Sequence, residues 1–470
     1  MSLDFLRVGS LYLREQEKRL DAKYYAKALR VRWNLERSGW PLKPLGDIAF
    51  FRYIGRFKRH YVPRSRSAVP LVGAREIFFW PIKPKKFLHP ESVWSELFPS
   101  YADILISCSG SIGNSLIAGN SLREVAISQH VIRVRAKEQA RQGYLYAFFR
   151  SGYGLNFMQG VQYGAVIKEI DPQVLNHMPI PILPAQIQES THSKMLRALV
   201  LRERGACLLK KAERLMYELL GIPEPDSIQP SYLPNPPGTR VRAFAVKRGE
   251  LEGRLDGSYH LPEVESLLRS LRVGKYPITR LEELAAYIHI PPRFKRHYLD
   301  ANRGVPFVRP SDLATVRILE QRYIAKWTPE LDQALLRPSE VLISRSGSIG
   351  DITLVTQAWK GWAGSDDLAR IAAKKRIAYP GYLYAFLTSP YGQVQLKREI
   401  YGGVIDHLEI EHLAKLNIPR APVEVQYKVA ELVLKAFELR DHANEIEEET
   451  VKELEAWIKW GPSGSGQGNR

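Results

Sequence analysis

Two stretches of the chain repeat apolar or small residues in steps of four and three without a break. The first, 184–221, places Ile187, Thr191, Lys194, Ala198, Leu201, Gly205, Leu208, Ala212, Leu215 and Leu219 on one seam. The second places Val425, Val429, Leu432, Ala436, Leu439, Ala443, Ile446 and Thr450 on another. This is heptad spacing, and it predicts two long amphipathic helices, at 184–221 and 422–460. Each would span about 54 Å at the α-helical rise. The first carries seven Lys/Arg against four Asp/Glu, the second five against ten. Opposite net charge favours pairing the two with each other over self-pairing of either. The expected contact is an antiparallel coiled coil with Leu201, Leu208, Leu215 and Leu219 facing Leu432, Leu439 and Ile446.

The rest of the chain is one unit written twice. RLDAKYY (19–25) returns as RLDGSYH (254–260), RFKRHY (56–61) returns unchanged at 293–298, and SGSIG (109–113) returns at 346–350. GYLYAF (143–148) returns at 381–386, and YGAVIKEID (163–171) as YGGVIDHLE (401–409). The offset drifts only from 235 to 238. A period this long excludes a solenoid and marks duplication of a whole domain with its following helix. Within a unit, a helix at 22–37 (261–271 in the second copy) is followed by short Val/Ile-rich runs between turn residues. These, at 48–53, 69–72, 104–107, 115–118 and 130–134, read as strands, with partners at 305–308, 341–344, 352–355 and 369–372. A helix at 143–157 (382–395) comes next. Prolines at 223, 225, 230, 234, 236 and 237 make the intervening segment a semi-rigid linker. The expected fold class is α+β. Two tandem mixed α/β domains, 1–183 and 254–421, alternate with helices at 184–221 and 422–460 in pseudo-twofold fashion. A linker and lead-in fills 222–253, and a disordered tail 461–470.

Charge narrows the function. Of a net +18, the two helices carry +3 and −5, so the rest of the chain carries +20. Such an excess is a footprint for a polyanion, most often nucleic acid. No run of 18 apolar residues exists, the N-terminus is charged where a signal peptide is apolar, and two cysteines, Cys108 and Cys207, make neither a disulfide framework nor a zinc site. A cytoplasmic protein is expected.

RFKRHY sets Arg56, Lys58, Arg59 and His60 between Phe57 and Tyr61, with Arg64 following. The second copy has Arg293, Lys295, Arg296, His297 and Tyr298, followed by Arg303 and Arg309. Guanidinium and ammonium groups bind phosphates, and arginine also reads guanine bidentately. The competing reading is a solvated basic strand edge. Residues that differ between copies are candidates for base reading: Arg75, Lys83, Lys85 and Lys86 against Arg317, Arg322 and Lys326. In SGSIG, Ser111 and Ser348 are possible phosphate contacts, with Arg345 beside the second loop, although a hairpin turn is the better reading. No Walker A or Gly-x-Gly-x-x-Gly pattern is present. Asn235-Pro-Pro-Gly238 half resembles the adenine-methyltransferase motif but lacks the stacking aromatic residue and lies in the linker. The histidines show no metal spacing, and no catalytic set emerges.

The strand-loops ILISCSGSIG and VLISRSGSIG, the GYLYAF segments and the passages YGAVIKEIDPQVLNHMPIPILPAQIQ and YGGVIDHLEIEHLAKLNIPRAPVEVQ resemble the specificity subunit of type I restriction–modification systems. The resemblance spans 19–460. It implies a non-catalytic subunit whose two target-recognition domains read the halves of a split duplex DNA sequence. It further implies paired helices that set the half-site spacing, two adenine-methyltransferase partner subunits that hold S-adenosylmethionine, and motor-nuclease subunits. This chain would hold no cofactor itself. His130 and Ser365-Asp366-Asp367 do not match between copies, so base contacts are not carried over. Three other readings remain: a lone DNA-modifying enzyme, an RNA-binding module, and a recognition subunit of a related phage-defence or type II-like assembly.

Overall fold

The structure, a computed structural model, describes residues 24–137, 141–163, 169–234, 243–251, 253–399 and 407–464, with side chains to 462. Parts of the repeated motifs at 19–23, 164–168 and 401–406, the Asn235-Pro-Pro-Gly238 motif and the tail from 465 lie outside the described residues. The chain divides into two compact units, Met1–Glu203 with Arg440–Arg470, and Arg204–Leu439.

In the first unit, a four-stranded sheet has the order Ala49–Tyr53, Val131–Ala136, Ile104–Ser107, Ser115–Ile117, antiparallel throughout. A second sheet has the order Tyr61–Val62, Lys86–Leu88, Val69–Val72, Ala126–Ile127, its last pair parallel. The second unit repeats both. One sheet is Ala285–His289, Leu368–Ala373, Glu340–Ser344, Ile352–Leu354; the other is Tyr298–Leu299, Arg322–Ala325, Gly304–Val308, Ala363–Gly364. Each unit adds a two-stranded pair just before its long helix, Leu42–Pro44 with Pro179–Pro181 and Ile278–Arg280 with Asn417–Pro419. The buried Tyr144 and Tyr382 hydroxyls donate to Pro181 O and Pro419 O at 2.5 and 2.7 Å and fix that pair in both copies.

The helix expected at 143–157 is two helices, Gln142–Arg150 and Gly152–Gly160, and its partner is Pro380–Thr388 and Pro390–Arg398. A buried serine causes each break. Ser151 and Ser389 leave helical geometry, and their side chains accept from the amides of Gly154 and Gly392 as N-caps. Gly154 and Gly392 also permit a close approach, since a Cβ at either would meet the preceding helix's backbone within 2.5 Å.

The long helices form as expected, over Ala185–Leu220 and Val423–Gly464, the latter kinked at Gly461. In the first unit they are antiparallel: Lys194 Nζ lies 2.5 Å from Glu453, and Arg202 Nη1 2.9 Å from Glu447, so ascending numbers on one helix meet descending numbers on the other. The seam differs from the leucine reading. The buried stripe is Gln188, Thr191, Met195, Ala198, Arg202, Gly205, Leu209, Ala212, Met216 and Leu220. Its counterpart is Gln426, Val429, Val433, Ala436, Arg440, Ala443, Glu447, Thr450, Leu454 and Ile458, every pair 238 apart. Leu201, Leu208, Leu215, Leu219, Leu432, Leu439 and Ile446 are half-buried on its flank. From shared small residues such as Ala198, a three–four pattern can branch to either side. The leucines favour one side on hydropathy; the folded chain takes the other, with Arg202 paired to Glu447 and Gln188, Gln426 and Thr450 donating to backbone carbonyls.

The core of the first unit joins Ile104, Ile106, Ile132 and Val134 of the sheet to Tyr144, Phe148 and Phe149 of the following helix. Met195 and Leu199 of the central helix and Leu454 and Ile458 of the C-terminal helix complete it.

Candidate nucleic-acid interface

RFKRHY occupies the same place twice. It connects the outer strand of one four-stranded sheet, Ala49–Tyr53 or Ala285–His289, to the outer strand of the other, Tyr61–Val62 or Tyr298–Leu299. Edge strands leave their connections in solvent, and Arg56, Lys58, His60 and Tyr61 are exposed, as are Arg293, Lys295, His297 and Tyr298. Arg64, Arg75, Lys85 and Lys86 are exposed in the first copy and Arg303 in the second. His60 stacks on His89 at 5.3 Å between ring centres, and the Arg75 guanidinium lies 5.8 Å from the Phe79 ring.

The shared arginine of the motif behaves differently in the two copies. Arg296 is half-buried, pairs with Asp366, lies 3.3 Å from Asp367, and donates to Ser365 at 3.1 Å. Burial works against its charge, but Asp366 outweighs burial and holds the guanidinium above its ordinary range. Burial pushes the Asp367 carboxyl up, but hydrogen bonds from Ser346 and Arg296 prevail and keep it below the usual carboxylate range. Arg59 has Gln129 and His130 at the repeat-equivalent positions. It rests 5.0 Å from the Phe57 ring centre and donates from Nη1 to the Tyr61 hydroxyl at 3.3 Å.

Two other candidates are withdrawn into structure. Arg309 is bidentate to Asp312, at 3.0 and 3.1 Å, and reaches Glu320. Arg345 is buried; its Nε donates to Leu408 O at 2.9 Å and its Nη2 pairs with Glu409. Sequence gives the charge of both arginines but not the carboxylates that neutralise it. The SGSIG loops are hairpin connections. Gly113 N donates to Ser107 O at 2.9 Å and Gly350 N to Ser344 O at 3.1 Å. The inner glycines take φ of 73° and 81° in the first copy and 68° and 84° in the second, which a residue with a Cβ rarely adopts. Ser111 is exposed at its tip and Ser348 half-buried.

The model of the type I restriction modification DNA specificity domain matches residues 94–199 and 275–456, more than half of the chain and parts of both repeats. The chain belongs to that family. A solved type I restriction–modification S subunit from M. genitalium is similar over 90% of this chain and 96% of its own, at 11% identity and a TM-score of 0.36. The HsdS subunit from Thermoanaerobacter tengcongensis is similar over 89% and 95%, at 16% identity and a TM-score of 0.28. A chain from a structural study of complex assembly in the type I system is similar over 90% and 98%, at 15% identity and a TM-score of 0.29. No curated protein matches the chain.

In this specificity-domain chain, the sequence reading missed a group beside the first SGSIG loop. Tyr53 and Tyr163 are exposed, and His130 Nδ1 lies 3.9 Å from Glu169 Oε1. Tyr163 and Glu169 also pair through their backbones at 2.9 Å. Tyr53 is exposed as a residue but partly desolvated, and this, then the neighbouring Cys108 and Glu169, raises its hydroxyl above the usual range. Cys108 itself is buried and pushed up to about 12, which makes it a packing residue and not a nucleophile. Exposed aromatics were the available signal, but sequence does not say which tyrosines face out. Among the described residues, no group of His, Cys, Asp and Glu could hold a metal ion, and no helix is long and apolar enough to cross a membrane.

Proposed function

We propose that the chain is the DNA-recognition subunit of a type I restriction–modification complex and reads a split duplex target, one half with each of two recognition domains, 1–183 and 254–421. One observation carries the reading: an identical basic loop stands at the same point of a repeated topology, is exposed both times, and lies in a chain whose two halves match the DNA specificity family. Arg56, Lys58, His60 and Tyr61, with Arg293, Lys295, His297 and Tyr298, hold phosphates. Residues that differ between copies read bases, among them Arg75, Lys85 and Lys86 in the first domain.

The antiparallel helices at 184–221 and 422–460 space the half-sites, since half-site separation follows from protein geometry. They dock two methyltransferase subunits, which hold S-adenosylmethionine, and motor-nuclease subunits join the assembly in the cytoplasm. The chain itself performs no chemistry. Sequencing adenine methylation in the host with and without the gene tests this: a bipartite methylated sequence is lost on deletion and restored by complementation. An unchanged methylome, or methyl transfer by the purified chain alone, overturns it.

A further inference from the structure

The two copies of RFKRHY are identical in sequence but differ in their counter-charge. Arg296 faces Ser365, Asp366 and Asp367, and all three bond its Nη2. The corresponding residues in the first copy are Ser128, Gln129 and His130, so two carboxylates are replaced by an amide and an imidazole. The consequence shows at Arg59. Its Nε and Nη2 are buried with no hydrogen-bond acceptor among the described residues, and its one bonded donor, Nη1, meets only the neutral Tyr61 hydroxyl. Gln129 Oε1 is likewise buried without a partner. A bond between the two would satisfy a donor but leave the charge uncompensated. A half-buried guanidinium without a counter-ion is costly, and an anion brought to its accessible edge relieves that cost.

We infer that Arg59 is a DNA-phosphate contact of the first domain, with the Tyr61 hydroxyl beside it, and that its twin Arg296 is not one. This deepens the DNA-recognition reading and rests on it. The aspartates of the second domain act as an internal phosphate mimic, so an identical motif serves as an anchor in one domain and a latch in the other. The first domain therefore supplies the larger share of sequence-independent affinity.

The test is the salt dependence of binding by the purified full chain to a fluorescein-labelled random-sequence duplex, followed by anisotropy. Each phosphate contact contributes about 0.9 to the slope of log affinity against log salt. Arg59→Ala should weaken binding roughly tenfold and reduce the slope by about one such contact. Arg296→Ala should leave the slope unchanged while lowering the denaturation midpoint. Gln129→Asp, which keeps Arg59 but gives it an internal anion, should reproduce the Arg59→Ala slope and guards against misfolding of the alanine variant. The exchange Asp366→Gln with Asp367→His should release Arg296 and steepen the slope. Equal slope losses for Arg59→Ala and Arg296→Ala, or an unaltered slope in both Arg59→Ala and Gln129→Asp, overturn the inference and leave the DNA-recognition reading standing. Failure of the unaltered chain to bind duplex overturns both.

Discussion

The two units share a topology strand for strand, yet they bury different chemistry beneath the long helices. In the first, Glu447 is fully buried and receives Arg202 at 2.9 Å, the Tyr146 hydroxyl at 3.0 Å and Arg150; Arg202 also donates to Asn444 at 3.1 Å. In the second, the position equivalent to Glu447 is Leu209, that of Arg150 is Thr388, and Tyr384 packs its ring edge-on against Phe437 at 5.0 Å. Duplication therefore conserved the shape of the seam and its buried arginine, Arg202 or Arg440, but not the carboxylate of Glu447 or its partner Arg150. A buried ionic network stabilises little over an apolar core of the same volume, but it penalises a wrong register heavily, because any slip strands a charge. Arg440, the equivalent of Arg202, is buried too and pairs with Asp441 at 2.8 Å, so a guanidinium is kept at both positions while its counter-charge differs.

The largest expected effect comes from breaking this asymmetry halfway. Glu447→Ala strands Arg202 and Arg150 and should destabilise the chain by about 3–5 kcal/mol, measured by urea unfolding. Converting the site to an apolar one, with Arg150→Thr, Arg202→Met and Glu447→Leu together, should recover most of that loss. A triple variant as unstable as the single one would show that the network does more than satisfy itself. Next comes the buried stripe against its leucine flank. Met195→Ala should cost about 2–5 kcal/mol, and Leu201→Ala, half-buried, clearly less; the reverse order would restore the leucine seam.

A third contrast is Arg345 against Cys108, which hold equivalent positions before the two SGSIG loops. Arg345→Cys should cost about 1–3 kcal/mol by orphaning Leu408 O and Glu409, with no change in the salt slope of DNA binding. A lost slope would return Arg345 to the interface. The smallest effect is acid sensitivity of the second unit. The Asp367 carboxyl is depressed in the folded chain, so its contribution is present above the ordinary carboxylate value, about 4, and is lost as pH falls through the lower folded value. Unfolding midpoints compared at pH 5 and pH 3 should converge between the unaltered chain and Asp367→Asn. A constant gap would exclude the latch.

Periodicity and repetition made much of this architecture legible. The 238-residue spacing of the helices survives in the buried stripe residue by residue, because packing acts on every turn of a helix. The strand runs at 69–72 and 104–107 coincide with observed strands because Val and Ile between turn residues leave few alternatives. Three kinds of feature stayed hidden. A serine that caps a helix reads like any helical serine until its neighbour's amide turns towards it, as at Ser151 and Ser389. Hydropathy placed the seam on Leu208 and Leu439 and could not foresee that Arg202 and Glu447 would enter it together. Basic composition could not separate Arg56, in solvent, from Arg133 and Arg370, which are buried; Arg133 Nη1 donates to Phe98 O at 2.6 Å, and Arg370 pairs with Glu340 at 2.7 Å.

The helix end at Gly461 has a consequence for the order in which the chain is made. A Cβ there would collide with Ser38 O, Pro462 lies against Gly39, and Trp40 Nε1 donates to Trp457 O at 3.0 Å. The first unit is thus closed by residues made only after 204–439, whereas 204–439 is complete in one uninterrupted stretch. During synthesis the core of the first unit stays open at Leu454 and Ile458 until the helix that begins at Val423 has been made. A premature stop near residue 440 would therefore damage the beginning of the protein more than its middle.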